Sequence, residues 1–193
     1  MMKRFPIEIT ISAGACFYAC LLLLLLPLNL VISLYLAAAI HECCHILMLF
    51  YFRIPVTGIS LGINGAAIRT VPLPPKQELV CAAAGPAGSF LCLLFLRDYP
   101  LFALCGLFQG LFNLLPVFPL DGGRILRCLC LCVCPKQAAF ICQAVKICTI
   151  AAALSASLYL ALRLHDCFFI LFALYFLLQG GTGRKIPCKG RCF

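Results

Sequence analysis

Long uncharged apolar segments constrain this chain more than any other feature of the sequence. Residues 9–26 carry no charged side chain, and a second apolar segment, residues 31–52, follows after a break at Pro27 and Asn29. A helix needs about 20 mostly apolar residues to cross a bilayer, because the hydrocarbon core is about 30 Å thick. Hydrophobic residues make up 64% of the 193 residues, and the mean hydropathy is +1.10. The sequence therefore predicts an all-α integral membrane protein.

We count about six transmembrane helices, with one short β-hairpin between the second and the third. Residues 54–71 alternate β-branched side chains around Asn64 and Gly65, and Asn-Gly favours a tight hairpin turn. Residues 125–146 are amphipathic and are expected to lie at the membrane interface. The six apolar segments are residues 9–26, 31–52, 79–96, 101–117, 147–162 and 167–178.

The distribution of charge predicts the orientation in the membrane. The chain has fifteen Lys and Arg against six acidic residues and a net charge of +9. The basic residues lie in short connections between apolar segments and not in an aromatic-basic stretch, so a nucleic-acid partner is not expected. With a cytoplasmic N-terminus, all of them except Arg97 and Arg163 fall on the inner side, as the positive-inside rule requires. Six helices then place both termini in the cytoplasm.

The sixteen cysteines are scattered through apolar segments, where thiols pack like small hydrophobic side chains. Metal binding is an alternative for two groups of them. No Cys-x-x-Cys pair accompanies either group, so packing or free thiols are the favoured interpretation. These two groups are Cys128, Cys130, Cys132 and Cys134, and the pair Cys188 and Cys192.

The second apolar segment contains the pattern His-Glu-x-x-His, formed by His41, Glu42 and His45. An ionisable side chain at bilayer depth is costly unless it is paired, bound to metal or facing water. On a helix, residues four apart lie on one face about 6 Å apart along the axis, so both imidazoles can bind one ion. Glu42 lies at the flank of that face, where a general base is needed. The pattern predicts a hydrolytic metal site; polar residues that pair at a helix interface are the alternative.

A hydrolytic zinc site needs a third protein ligand and an open fourth position. Asp121 is the candidate, because it lies at the inner end of the fourth apolar segment, among prolines and glycines that can open a cavity at membrane depth. An ordinary turn aspartate before Gly-Gly is the alternative. Asp98 and Asp166 belong to the outer loops, Glu78 to a linker, and the third histidine, His165, to the outer interface.

These motifs resemble the site-2 protease family of intramembrane zinc metalloproteases. The resemblance rests on His-Glu-x-x-His, on Asn-x-x-Pro followed by Leu-Asp-Gly at Asn113 to Gly122, and on Gly-Pro-Ala-Gly-Ser in the third apolar segment. It covers residues 30–127. Six helices without a PDZ insertion look most like the bacterial stage IV sporulation protein FB branch. Residues 1–193 would then be one polytopic protease domain in the cell membrane, without a PDZ or CBS domain.

The resemblance implies a role for each site residue. His41, His45 and Asp121 would bind one Zn²⁺ per chain, Glu42 would be the catalytic base, and Asn113 would position the substrate. The implied activity is cleavage of a membrane-embedded or membrane-tethered protein near the cytoplasmic face, with a sporulation pro-sigma factor as one possible substrate. Cys44, inside the motif, departs from the family pattern; packing is the favoured interpretation, and an oxidation-sensitive or additional ligand is the alternative.

Two other functions also use some of these residue types. A zinc or proton-coupled transporter also uses intramembrane His and Asp, but it does not need Glu42 beside them and usually carries acidic groups on both sides. A non-catalytic relative would bind a client without cutting it, and the intact set of catalytic residues argues against that. Under the protease hypothesis, the hairpin could hold an unwound substrate strand by main-chain pairing.

Overall fold

The computed structural model describes residues 8–62 and 65–164. These residues form six α-helices, one 3-10 turn and three short strands. The helices are α1 (Ala13–Leu25), α2 (Leu28–Tyr51), α3 (Pro75–Leu91), α4 (Pro100–Asn113), α5 (Asp121–Val133) and α6 (Ala138–Leu164), and the 3-10 turn Cys92–Phe95 extends α3. The strands are β1 (Glu8–Ile11), β2 (Val56–Gly62) and β3 (Gly65–Thr70).

Three of the described helical segments are long and apolar enough to cross a membrane: Leu28–Tyr51, Pro75–Phe95 and Ala138–Arg163. The helices α1 and α4 are apolar but shorter. The chain is thus mostly helical with a small sheet, as expected. The sixth predicted helix, residues 167–178, lies outside the described residues, as do His165, Asp166, Cys188 and Cys192.

The predicted interfacial segment, residues 125–146, is not one element. It spans most of α5 and the beginning of α6, with a break after Val133. Pro135 lies in that break, and a proline has no amide hydrogen with which to continue a helix. The prediction placed the start of the fifth apolar helix at residue 147, which was too late, since α6 already begins at Ala138.

The predicted hairpin is part of a larger sheet. Strands β2 and β3 pair antiparallel with Gly62 opposite Gly65; Ile63 and Asn64 of the turn lie outside the described residues. Strand β1 pairs in parallel with the other side of β2, so β2 is the central strand.

The prediction that residues 9–26 form one helix is wrong at its beginning. Residues 8–11, with the sequence EITI, pair with β2, and this pairing gives their backbone groups partners. Helix α1 then begins after Ser12, whose hydroxyl oxygen accepts a hydrogen bond from the amide of Ala15 at 3.2 Å.

The described residues divide into two compact units. One comprises the chain up to Leu73 together with Ala83–Phe112, and contains the sheet, α1, α2 and most of α3 and α4. A stripe of buried residues at four-residue spacing runs along α2 in this unit: Ala37, His41, His45 and Leu49. One face of α2 is therefore covered along three turns.

The other unit comprises Pro74–Ala82 and the chain from Asn113 onward. It contains the first turns of α3, the helices α5 and α6, and the segment that precedes α5. Val117 of that segment and Cys128 of α5 are fully buried. Helices α5 and α6 pack against each other.

Candidate metal centre

His41 and His45 lie on successive turns of α2 and are buried, with 2% and 8% of their surface exposed. Their Nε2 atoms are 3.2 Å apart, and the two rings meet edge to face with centroids 4.8 Å apart. The four-residue spacing brings both side chains to the covered face of the helix. Two imidazoles therefore direct the same ring nitrogen to one point.

Ser89 fixes the orientation of His41. Its hydroxyl lies 2.8 Å from Nδ1 of His41, and the serine is completely buried. When Nδ1 donates its hydrogen to the serine oxygen, Nε2 is left with a lone pair. A metal ligand needs that tautomer, and such hydrogen-bonded partners are usual behind metal-binding histidines.

Gly85 allows α3 to approach the two histidines. A Cβ atom at this position would overlap Nε2 of His45 and would lie 2.7 Å from Nε2 of His41. Gly85 and Ser89 are four residues apart on α3, so they share one face of that helix. The first and last residues of the Gly-Pro-Ala-Gly-Ser stretch thus face the histidines.

Asp121 is the first residue of α5 and is 6% exposed. A carboxylate in the first turn of a helix interacts favourably with the unpaired amide groups there. The next two residues, Gly122 and Gly123, have no room for a side chain, because the preceding segment of backbone lies close to both. A Cβ at Gly122 would overlap the carbonyl of Leu114, and one at Gly123 would lie 2.6 Å from the backbone nitrogen of Phe118.

Among the described residues, His41, His45 and Asp121 form a group able to hold a metal ion. One ligand atom from each lies within 4.8 Å of those of the other two, and all three residues are buried. In tetrahedral zinc sites with Zn–N bonds of about 2.0–2.1 Å, ligand atoms are about 3.3–3.4 Å apart. The 3.2 Å between the two Nε2 atoms fits that spacing. The donor set of two imidazoles and one carboxylate therefore suits zinc.

The other two predicted site residues are Glu42 and Asn113. Glu42 follows His41 on α2 and is partly exposed. Asn113 is the last residue of α4, and it is also partly exposed. The role of each remains a prediction.

Cys44 packs against α3. A Cβ at Gly88 would overlap its Sγ, so the thiol occupies the space that the glycine leaves. Cys44 does not belong to the group able to hold a metal. The contact favours the packing interpretation of this residue.

The contribution of Ser89 and Gly85 does not follow from the composition of their stretch, which indicates only small residues for close helix packing. A signal was present: Gly85 and Ser89 repeat the four-residue spacing of His41 and His45, so two helices each present one matched face.

The chain is similar to known peptidases. The family model "Peptidase family M50" matches residues 96–154, a segment that includes Asn113 and Asp121 but not the histidine motif. Zinc metalloprotease MJ0392 of Methanocaldococcus jannaschii is 32% identical over 114 residues, which is 52% of this chain. This chain spans 34% of the length of that relative.

A solved structure shares the fold. The Site-2 Protease from Methanocaldococcus jannaschii superposes with a TM-score of 0.63 and 22% sequence identity, over 96% of this chain and 94% of that one. The three comparisons together support the resemblance to the site-2 protease (M50) family that the sequence motifs predict.

Proposed function

We propose that this protein is an intramembrane zinc metalloendopeptidase of the site-2 protease type. The main observation in support is the buried group formed by His41, His45 and Asp121, with Glu42 next to the first histidine in the chain. Similarity to Zinc metalloprotease MJ0392 and to the Site-2 Protease from the same archaeon supports this assignment.

Each side chain has a distinct task in this proposal. His41, His45 and Asp121 hold the ion, and Ser89 keeps Nε2 of His41 available as a ligand atom. Zinc, when bound, polarises the scissile carbonyl and makes water acidic enough to attack near neutral pH. Glu42 takes the proton from the attacking water and passes it to the leaving amine. Asn113 positions the substrate.

The substrate class follows from the surroundings of the site. Helices of this length and hydropathy place the peptidase in a bilayer, so its substrate is a membrane-embedded or membrane-tethered protein. The charge distribution favours cleavage near the cytoplasmic face, with both termini cytoplasmic. Because the predicted span count resembles the stage IV sporulation protein FB branch, we include a sporulation pro-sigma factor as a candidate substrate of regulated intramembrane proteolysis.

A helical substrate must unwind before cleavage, because its carbonyls are engaged in its own hydrogen bonds. Strand β3 is an edge strand of the described sheet, and we propose that it pairs with the unwound segment. Strand β2 cannot serve, because β1 and β3 occupy its two sides.

The deciding experiment compares the wild-type protein with Glu42→Gln, both purified in detergent. Bound zinc and cleavage of membrane-tethered substrates, including a pro-sigma factor, are measured on each. Glu42→Gln should keep about one zinc and lose cleavage by about 10²–10⁴-fold, the usual contribution of a general base. Glu8→Gln is the matched control, since Glu8 is an exposed carboxylate paired with Arg69 at 3.9 Å.

Each outcome of this comparison is decisive for one part of the proposal. Equal cleavage by wild type and Glu42→Gln would remove Glu42 as the base. A wild-type protein that binds zinc, cuts no substrate and carries zinc into liposomes would favour a transporter. Chelator-sensitive cleavage by the wild type and by Glu8→Gln alone would support the peptidase.

A further inference from the structure

Four charged side chains at the beginnings of α3 and α5 form a connected set of ion pairs, which we call the Glu78 network (Glu78, Asp121, Arg124 and Arg127). Nη2 of Arg127 donates to both carboxylate oxygens of Glu78, at 2.5 and 2.6 Å. Nε of Arg124 lies 3.6 Å from Oε1 of Glu78, and Nη1 of Arg124 lies 3.4 Å from Oδ1 of Asp121. Arg124 is thus shared between two carboxylates.

Three of the four side chains are largely withdrawn from water, whereas that of Arg124 is 31% exposed. The side chains of Glu78 and Arg127 are 15% and 18% exposed, and that of Asp121 is 8% exposed. Nε of Arg127 is buried and has no hydrogen-bond partner among the described residues. In such surroundings, removal of one charge leaves its partner uncompensated, and the remaining charges rearrange around it.

The Glu78 carboxylate also acts on a buried thiol. Burial, and then the negative charge of Glu78, raise the pKa of Cys128 to about 12. The thiol therefore stays protonated at neutral pH and donates a hydrogen bond to Glu78. Cys128 thus adds a hydrogen bond to the network but no charge.

Arg124 is a potential competitor for Asp121. A guanidinium and a carboxylate in an optimal charge-assisted pair lie about 2.7–2.9 Å apart, often with two parallel hydrogen bonds. Both contacts of Arg124 are longer than that. Without the charge of Glu78, Arg124 would turn fully to Asp121 and occupy the lone pairs that a metal ion needs.

We propose that Glu78 is a positioning residue of the metal centre, which holds Arg124 away from full pairing with Asp121 so that this carboxylate can bind the ion. The inference rests on the proposed function, because Asp121 is the third metal ligand there. It assigns a role to an acidic residue that the sequence suggested only as part of a linker.

The test is the zinc affinity of the full-length protein in detergent, measured by competition with a chromogenic chelator. Glu78→Gln should raise the zinc Kd about 10–100-fold, the usual effect of losing a partner of a metal ligand. The Co²⁺-substituted protein should show a changed visible spectrum in the same variant. Glu8→Gln, which removes an exposed carboxylate, should leave both readings as in the wild type.

A double variant separates positioning from general structural damage. Glu78→Gln with Arg124→Gln removes the competing guanidinium, so the zinc Kd should return to within about twofold of the wild-type value. A difference of about twofold is the usual deviation from additivity of mutational effects. Loss of affinity that persists in the double variant would overturn the proposal. So would a wild-type zinc Kd and Co²⁺ spectrum in Glu78→Gln alone.

A second pair of changes covers the case in which Glu78→Gln does not fold. Glu78→Gln with Arg127→Gln removes opposite charges together, so the buried charge stays balanced while Arg124 can still turn to Asp121. This variant should also lose zinc affinity, and unchanged affinity would contradict the inference. Failure of the proposed function gives a different result, since the wild type and Asp121→Asn would then bind zinc equally poorly.

Discussion

Nδ1 of His41 and Oγ of Ser89 lie 2.8 Å apart, and this contact joins α2 to α3. Ser89 is completely buried. When Nδ1 donates its hydrogen to the serine oxygen, Nε2 is the ring nitrogen that is available to an ion. A residue outside the His-Glu-x-x-His motif is thus the hydrogen-bond partner of a histidine inside it.

Replacement of Ser89 by alanine should weaken zinc binding. The serine oxygen would no longer accept the Nδ1 hydrogen, so the ring of His41 would lose its fixed orientation. The expected rise in the zinc Kd is about 10–100-fold, measured by chelator competition. Ser155→Ala is the matched control, because the hydroxyl of Ser155 donates to the carbonyl of Ala151 on its own helix. Equal Kd values for both variants would contradict the role given to Ser89.

Replacement of Gly85 by alanine should disrupt the metal centre more severely. The added Cβ would overlap Nε2 of His45, so α3 or both imidazoles must move. Overpacking of this kind costs about 1–3 kcal/mol of stability, and the displaced imidazoles should leave the purified protein with little zinc. Metal analysis and thermal unfolding report the two effects. In the control Gly62→Ala, the nearest atom to the added Cβ is 3.9 Å away, and zinc content should stay at the wild-type level.

Proline in place of Ile68 should test the edge of β3. The amide of Ser12 donates to the carbonyl of Leu61 at 2.9 Å, so the backbone groups of Leu61 point away from β3. Ala66 lies opposite Leu61, and Ile68 is two residues further along β3. The amide of Ile68 therefore points away from β2, towards the free edge.

Ile68→Pro removes that outward donor and leaves the pairing of β2 with β3 in place. Cleavage of a tethered substrate should fall by about tenfold or more, in line with a lost backbone hydrogen bond to the substrate, while zinc content stays constant. Ile68→Ala keeps the amide and is the control for loss of the side chain. Normal turnover by the proline variant would rule out substrate pairing at this edge.

Residues close together in sequence were predictable because local geometry decides their relation. His41 and His45 share a face through the four-residue spacing of a helix. The Asn64-Gly65 pair predicts a hairpin, and β2 and β3 on either side of it pair antiparallel. The third member, Asp121, was predicted by elimination, from its position next to helix-breaking residues, since few acidic residues were available. Among the described residues, it belongs with the two histidines to the group able to hold a metal ion.

Relations between distant segments were not predictable in the same way. The pairing of β1 with β2 was missed because residues 9–11 are as apolar as a helix and only a partner strand reveals their strand character. The sequence suggests only a linker position for Glu78. Its partner Arg127 is 49 residues further along the chain, so the local sequence does not reveal their ion pair.

The sequence by itself determined that this chain is apolar enough for a membrane, that one helix carries two metal-ligand candidates with a glutamate beside them, and that a hairpin follows. Periodicity and composition are sufficient for these features, because they depend on neighbours within a few residues. Only the tertiary structure decided that Ser89 orients His41, that Gly85 leaves room for both imidazoles, and that Glu78 holds Arg124. Each of these depends on the close approach of two helices, which is set by side-chain packing between segments far apart in the chain.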